Sequence, residues 1–294
     1  MNRLRVILIG GPTASGKSAF AMEVARRERG AIINADAMQL YSGLSILTAQ
    51  PRDDERLEIP HRLYGDFDPA THSSVARWLG EAQRAIGESH DAGLVPVLVG
   101  GTGLYFRALE QGLADIPDIP GSVRASAQAL YDELGEALFR TLLCENDPES
   151  AQKIARNDRH RLVRAYEVAH HTGKCLGHWQ RLSRETISPR FSFERHLLLP
   201  TRERLYAACD ARFLDMIDRG AVEEARAFLS RGLDSGLPTM KTIGLREIRC
   251  FLRLECSLDA AILKAQQATR NYAKRQTTWF RNQWTHFVQA CERA

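Results

Sequence analysis

Gly11-Pro12-Thr13-Ala14-Ser15-Gly16-Lys17-Ser18 has the spacing G-x-x-x-x-G-K-[ST], and its residue types suit a phosphate. Glycines let successive backbone N–H groups turn toward one point and form an anion nest. A helix opening near Gly16 aims its N-terminus at that point. Lys17 adds a full positive charge for bridging oxygens, and Ser18 can ligate Mg2+. The flanks agree: the apolar run RVILIG precedes the loop, and the helix-periodic KSAFAMEVARRE follows it.

Phosphate binding leaves the reaction open. An NTPase normally carries a carboxylate at the end of a neighbouring apolar strand to hold Mg2+. Here the candidate strand LVPVLVGG ends in Gly100-Gly101-Thr102, which offers amides and a hydroxyl instead. That argues against a motor or switch ATPase and keeps a small-metabolite kinase as an alternative. Asp36 ends the candidate strand AIINAD, at the rim where doubly wound sheets bind ligands. It is a candidate general base or metal partner. An Asp after a strand can equally cap the next helix.

Two basic stretches stand out. In NDRHRLVRAYEVAHHTGK, helical spacing puts Arg161 and Arg164 at i, i+3 and His160 and Arg164 at i, i+4. Leu162, Val163, Tyr166 and Val168 would then pack inward. The C-terminal run carries Lys264, Arg270, Lys274, Arg275 and Arg281, with no Asp or Glu between Asp259 and Glu292. Arg270, Lys274 and Arg281 share a helical face, with Tyr272, Trp279 and Trp284 interleaved. Cations contact phosphates, and aromatics stack either on bases or in the core. An RNA partner fits this run, and so does an RNA-binding protein whose loop only senses nucleotide.

The elements that must position these residues read as β–loop–α–β–α–β, ending in the third strand before Gly100. That order predicts a parallel sheet with helices on both faces. The connection QGLADIPDIPGS changes the character of the chain near residue 111. Residues 122–187 have helical patterns, and RHLLLP at 195–200 reads as another buried strand. The expected fold is therefore a P-loop NTPase-like α/β core, residues 1–110 and 191–294, with a small helical domain inserted at 111–190. The chain has 294 residues and a formal net charge of +4, which permits a nucleic-acid partner without requiring one. Its six cysteines form no C-x-x-C pair and read as reduced thiols of a cytoplasmic protein. No apolar run approaches membrane-spanning length, and RVILIG is too short for a signal peptide.

Taken in order, GPTASGKS, ADAMQLYSGLSI, PHRLYG, PVLVGGTGLYFRAL, NDRHRLVRAYEV, RLYAACDARFLDMI, GLPTMKTIGLREI and ATRNYAKRQTTWFR resemble the bacterial tRNA dimethylallyltransferase family across nearly the whole chain. The resemblance implies transfer of a dimethylallyl group from its pyrophosphate to N6 of the adenosine just 3′ of the anticodon. It implies Mg2+ with the pyrophosphate, a flipped target base, a monomer, and an insertion that grips the anticodon stem-loop. By the same resemblance Asp36 is the base, and Thr13, Lys17 and Arg212 act at the reacting groups. Asp36, Ala37, Met38, Gln39, Thr102, Arg124 and His160 to Arg164 (with Leu162 and Val163) occupy tRNA-contacting positions. The family's usual Asp-Ser is Asp36-Ala37 here, and its IGY is IGL, with Leu245.

Overall fold

A computed structural model describes residues 3–183, 190–284 and 287–289. Six strands form one sheet: β1 (Leu4–Gly10), β2 (Gly30–Asn34), β3 (His61–Arg62), β4 (Val95–Gly100), β5 (Phe191–Leu197) and β6 (Val288–Gln289). Their order is β3-β2-β4-β1-β5-β6, and every pairing is parallel. The register Gly10↔Gly100 brings the ends of β1 and β4 level.

The sheet is covered on both faces, which is why its central strands read as unbroken apolar runs. Val6 and Leu8 of β1 point into a core with Trp78, Phe106 and Phe280. Ile7 and Ile9 point the other way, onto Ala21 and Val24 of α1 (Lys17–Glu28). The first core is closed by α3 (Val75–Asp91) and α4 (Gly103–Gln111), which follows β4 directly; the short α2 (Asp53–Glu58) lies ahead of β3.

The chain folds into two compact units, Met1–Glu110 with Pro189–Ala294, and Gln111–Ser188. The second unit holds α5 (Gly121–Asn146), α6 (Pro148–Lys153), α7 (Arg159–Thr172) and α8 (Leu176–Ser183). Its own core contains Phe139, Leu143, Leu162 and Ala165. Helix α5 breaks at Gly135, whose φ of 70° no other residue type adopts as cheaply. In the first unit, α9 (Arg202–Asp218), α10 (Ala221–Leu229), α11 (Leu245–Leu252) and α12 (Leu258–Gln283) follow β5 and share a third core built on Phe213, Phe228 and Ile248.

The strand expected at 195–200 runs instead from Phe191 to Leu197. Its first half alternates apolar and polar residues, and Glu194 is tied to Arg5 on β1 at 2.7 Å. A strand carrying ion pairs lacks the continuous apolar run that marks a buried strand in sequence. Among the described residues, five cysteines are free and no helix is long and apolar enough to cross a membrane.

Candidate active site

The loop after β1 turns tightly enough to need left-handed backbone at Ala14 (φ 61°) and Gly16 (φ 84°). Gly16 is the N-cap of α1 and supplies no side-chain acceptor, so the first N–H groups of the helix stay open to an anion. The Lys17 ammonium folds back and donates to the Pro12 carbonyl at 2.7 Å. Burial lowers its pKa to about 8, with the nearby Arg212 charge adding to the effect and Asp36 opposing it.

Asp36 follows β2 and is fixed by its neighbours. The fully buried Asn34 accepts from the Asp36 N–H at 2.7 Å and donates to the carbonyls of Asp36 and Leu63. Asp36 Oδ1 accepts from the Met38 N–H at 3.0 Å, and Oδ2 has no hydrogen-bond partner among the described residues. No helix begins here, so Asp36 closes a local turn rather than capping a helix. Thr102, after β4, accepts from the Ala37 N–H at 3.0 Å and so ties the Asp36 turn to the β4 loop. From α9, Arg212 Nη1 donates to Thr13 Oγ1 at 3.0 Å. Burial lowers the Arg212 pKa, and Asp36 counters that fall. Tyr272, Tyr105 and Tyr64 have raised pKa values, first through burial and next through the Asp36 charge. One carboxylate therefore faces two enclosed cations and three neutral phenols.

Two cavities meet at these residues. One, of about 490 Å³, is lined by the loop from Ala14 to Ser18 and by Arg52, His61 and Arg219. The other, of about 470 Å³, is lined by Thr13, Asp36, Met38, Phe213, Tyr272 and Arg275, among others. Lys17, Ser18, Tyr64, Val99 and Arg212 line both.

Thr13, Lys17, Ser18, Asp36, Ala37, Met38, Gln39 and Arg212 thus come together, and Thr102 joins them through Ala37. The Gln39 amide nitrogen is occupied by the carbonyls of Thr48 and Ala49, which limits what it can offer a ligand. Ala37 presents only its backbone N–H, already taken by Thr102, where a serine would add a hydroxyl. Leu245 is buried in the core of α9 to α12.

On α12, Lys274, Arg275 and Arg281 are exposed, and Arg275 lies over the Tyr272 ring. Arg270 differs: it is half-buried and bonded to Asp210 and Gln267. Trp284 is a core residue, and Trp279 is half-buried, packed against the same core. Trp279 lies so flush on Gly103 that a Cβ there would sit 2.1 Å from its ring, and Trp284 is 4% exposed.

In the helical unit, Arg124, His160 and Arg161 are exposed on α5 and α7. Arg124 and Arg164 both pair with Glu167, whose side chain is 3% exposed. Leu162 and Val163 are buried at 0% and 5%, so their side chains serve the core of this unit and not a tRNA surface. Helical period explains the difference: a contiguous segment on a helix presents only every third or fourth residue to one side.

Sequence reasoning missed Gln276, Asn34, Arg52, His61 and Arg219. Gln276 sits in a basic run that reads as surface, yet it is 5% exposed. Its signal is indirect: the adjacent Gly100-Gly101 pair marks a place where something approaches the backbone closely.

Residues 39–283 match the family model described as IPP transferase. The tRNA dimethylallyltransferase of Rhodospirillum centenum is 52% identical over 278 residues, 95% of this chain and 88% of that protein. The chain belongs to the IPP transferase family. The tRNA dimethylallyltransferase of Phenylobacterium zucineum is 51% identical to this IPP transferase, over 95% of this chain and 90% of that one. The tRNA isopentenylpyrophosphate transferase of Bacillus halodurans has a TM-score of 0.69 at 30% identity, covering 98% of this chain and 90% of that one. A eukaryotic dimethylallyltransferase acting on tRNA reaches 0.82 at 26% identity, covering 98% and 74%. This IPP transferase is thus an enzyme of the prenyltransferase class on a P-loop-like α/β fold.

Proposed function

We propose that this enzyme transfers the dimethylallyl group of dimethylallyl pyrophosphate to N6 of the adenosine 3′-adjacent to the anticodon of tRNA, releasing pyrophosphate. The observation that carries the reading is the meeting of two cavities at Lys17 and Arg212. Arg52 and Arg219 line only one of the two, with Glu55 and Asp215, and Asp36 lines only the other, with Lys241 and Arg275. The two shared cations suit an anionic leaving group at the junction, and Asp36 beside them suits a nucleophile that must lose a proton.

The chemistry divides in the same way. The N6 lone pair attacks C1 of the dimethylallyl group as the C1–O bond to pyrophosphate breaks. Charge develops on the leaving oxygens, where the α1 N-terminal amides, Lys17 and Arg212 stabilise it. The amine proton passes to Asp36, whose free Oδ2 is the acceptor. Thr13 Oγ1 orients Arg212 between the two sides.

Among the described residues no group of three His, Cys, Asp or Glu side chains is placed to hold a metal ion, so an all-protein metal cage is not the donor set. The exposed Ser18 hydroxyl, at the start of α1, fits an ion that keeps most of its shell in water and phosphate oxygens. Ser18 would therefore hold Mg2+ delivered with the pyrophosphate, whose contribution is neutralisation of the leaving group. The adenosine must leave its stack to enter the second cavity. The exposed Lys274, Arg275 and Arg281, with Arg124, Arg161 and Arg164 of the helical unit, are the cations offered to the anticodon stem-loop, and the exposed His160 ring adds a hydrogen-bonding edge. The enzyme works as a cytoplasmic monomer in this reading, where its tRNA substrate resides.

The test is incubation of the purified protein with unmodified tRNA, Mg2+ and labelled dimethylallyl pyrophosphate. Label is expected in tRNA, on N6 of that adenosine after nuclease digestion. ATP turnover with a small metabolite, and no label in tRNA, would establish a kinase instead.

A further inference from the structure

At the end of β4, where an NTPase projects its Mg2+-binding carboxylate, this chain has two glycines with no room for a side chain. A Cβ on Gly100 would lie 2.1 Å from the Ala35 carbonyl oxygen. A Cβ on Gly101 would lie 2.1 Å from Nε2 of Gln276. The space a carboxylate would claim is filled by the carboxamide of Gln276, reaching in from α12.

That carboxamide uses both of its ends. Oε1 accepts from the Thr13 N–H at 2.8 Å, and Nε2 donates to the Gly101 carbonyl at 2.9 Å. Thr13 belongs to the phosphate-binding loop and Gly101 to the loop that carries Thr102. Thr13 in turn presents Oγ1 to Arg212 at 3.0 Å. Gln276 is buried, so neither bond is shared with bulk water, and an amide is the one side chain of this shape that supplies a donor and an acceptor together.

We propose that Gln276 is a positioning residue for prenyl transfer: its carboxamide clamps the phosphate-binding loop to the Gly101 loop and thereby sets the Thr13 hydroxyl for Arg212. The inference rests on the transfer reaction proposed above. Leucine at 276 fills the space and makes neither bond. Glutamate keeps the acceptor for Thr13 but turns a second oxygen toward the Gly101 carbonyl. Alanine at Gly101 drives its Cβ into the carboxamide and displaces it.

The experiment compares the wild-type enzyme with Gln276→Leu, Gln276→Glu and Gly101→Ala. It measures kcat, KM for dimethylallyl pyrophosphate, KM for tRNA, and calorimetric binding of inorganic pyrophosphate. All three variants are expected to lose at least tenfold in kcat/KM for the prenyl donor, with KM for tRNA within twofold of wild type. The deciding measurement is a double-mutant cycle with Thr13→Ala. If Gln276 acts through Thr13, Gln276→Leu costs at least fivefold less in the Thr13→Ala background than in the wild type. Equal cost in both backgrounds would mean that Gln276 only supports the fold, and overturns the proposal. Should the leucine variant not fold, the near-isosteric Gln276→Glu carries the same cycle. Wild-type protein that moves no label to tRNA defeats the reaction, not the clamp. The clamp is then judged by pyrophosphate affinity, expected to fall at least fivefold in Gln276→Leu and refuted if unchanged.

Discussion

Arg212 and Thr13 are 199 positions apart in sequence, yet the Arg212 guanidinium donates to the Thr13 hydroxyl at 3.0 Å. The bond joins α9 to the phosphate-binding loop where the two cavities meet. It fixes a cation that burial makes costly to hold, next to the position proposed for the departing anion.

Arg212→Lys keeps a charge but loses the planar fork that reaches Thr13 and the pyrophosphate together. We expect kcat to fall by about 10²-fold, the scale for removing one preorganised donor from a developing oxyanion. Affinity for tRNA should stay within twofold, measured by filter binding. A fall in tRNA affinity matching the fall in kcat would move Arg212 from the leaving group to the RNA.

In the proposed reaction Lys17 is expected to set an alkaline limit. Its ammonium is charged below a pKa of about 8 and neutral above it, because burial disfavours the charge. In wild type, kcat/KM for dimethylallyl pyrophosphate should fall as pH rises past 8, by up to tenfold per pH unit. In Lys17→Arg that limb should disappear, since a guanidinium keeps its proton there. The linkage to stability has the opposite direction. The unfolded lysine holds its proton to about 10.5, so between pH 8 and 10.5 the unfolded state binds more protons and stability rises with pH. Denaturant midpoints at pH 7.5 and 10 should show a rise attributable to this group that is missing in Lys17→Met.

Asp36→Asn isolates proton acceptance. The amide oxygen can still take the Met38 N–H, so the turn after β2 survives. Turnover should fall by about 10²- to 10⁴-fold, the range of a general base, with tRNA affinity nearly unchanged. The substitution also removes the negative charge that opposes the fall in the Lys17 pKa. The alkaline limb of the residual activity should therefore move to lower pH. An unmoved limb would mean that Asp36 and Lys17 do not share one electrostatic site.

The parts legible in sequence are those whose neighbours in sequence are also their neighbours in space. The helix after the loop reads as KSAFAMEVARRE and is observed as Lys17–Glu28. The missing carboxylate after β4 is visible as Gly100-Gly101, but its cause is not. It lies in Gln276, 175 positions from Gly101, and no local pattern distinguishes a buried glutamine from an exposed one. Trp279 and Trp284 show the same limit. Interleaved with cations they suggest stacking on bases, whereas packing on Gly103 and Phe106 decides their place. Strand β5 is legible only from Arg195 onward, next to the apolar run; its first half alternates Phe191 and Phe193 with Ser192 and Glu194, and Glu194 is held by Arg5 of β1.

Lys274 and Arg270 share a helical face of α12, and sequence alone treats them as equals. The structure separates them. Lys274 is exposed with no ion-pair partner among the described residues, whereas Arg270 is half-buried and paired with Asp210 of α9. A free exposed lysine that meets a phosphate releases counterions, and each such contact adds nearly one to the salt slope of binding. Lys274→Ala should therefore weaken tRNA binding and flatten the plot of log K against log salt by about 0.7–0.9, leaving the denaturation midpoint unchanged. Arg270→Ala should do the reverse. It strips Asp210 of its partner and loosens the contact of α12 with α9, at a cost of about 1 kcal/mol for a partly exposed pair. Its salt slope should remain within error of wild type. If Arg270→Ala flattened the slope as much as Lys274→Ala, the Asp210 pair would have to open when tRNA binds.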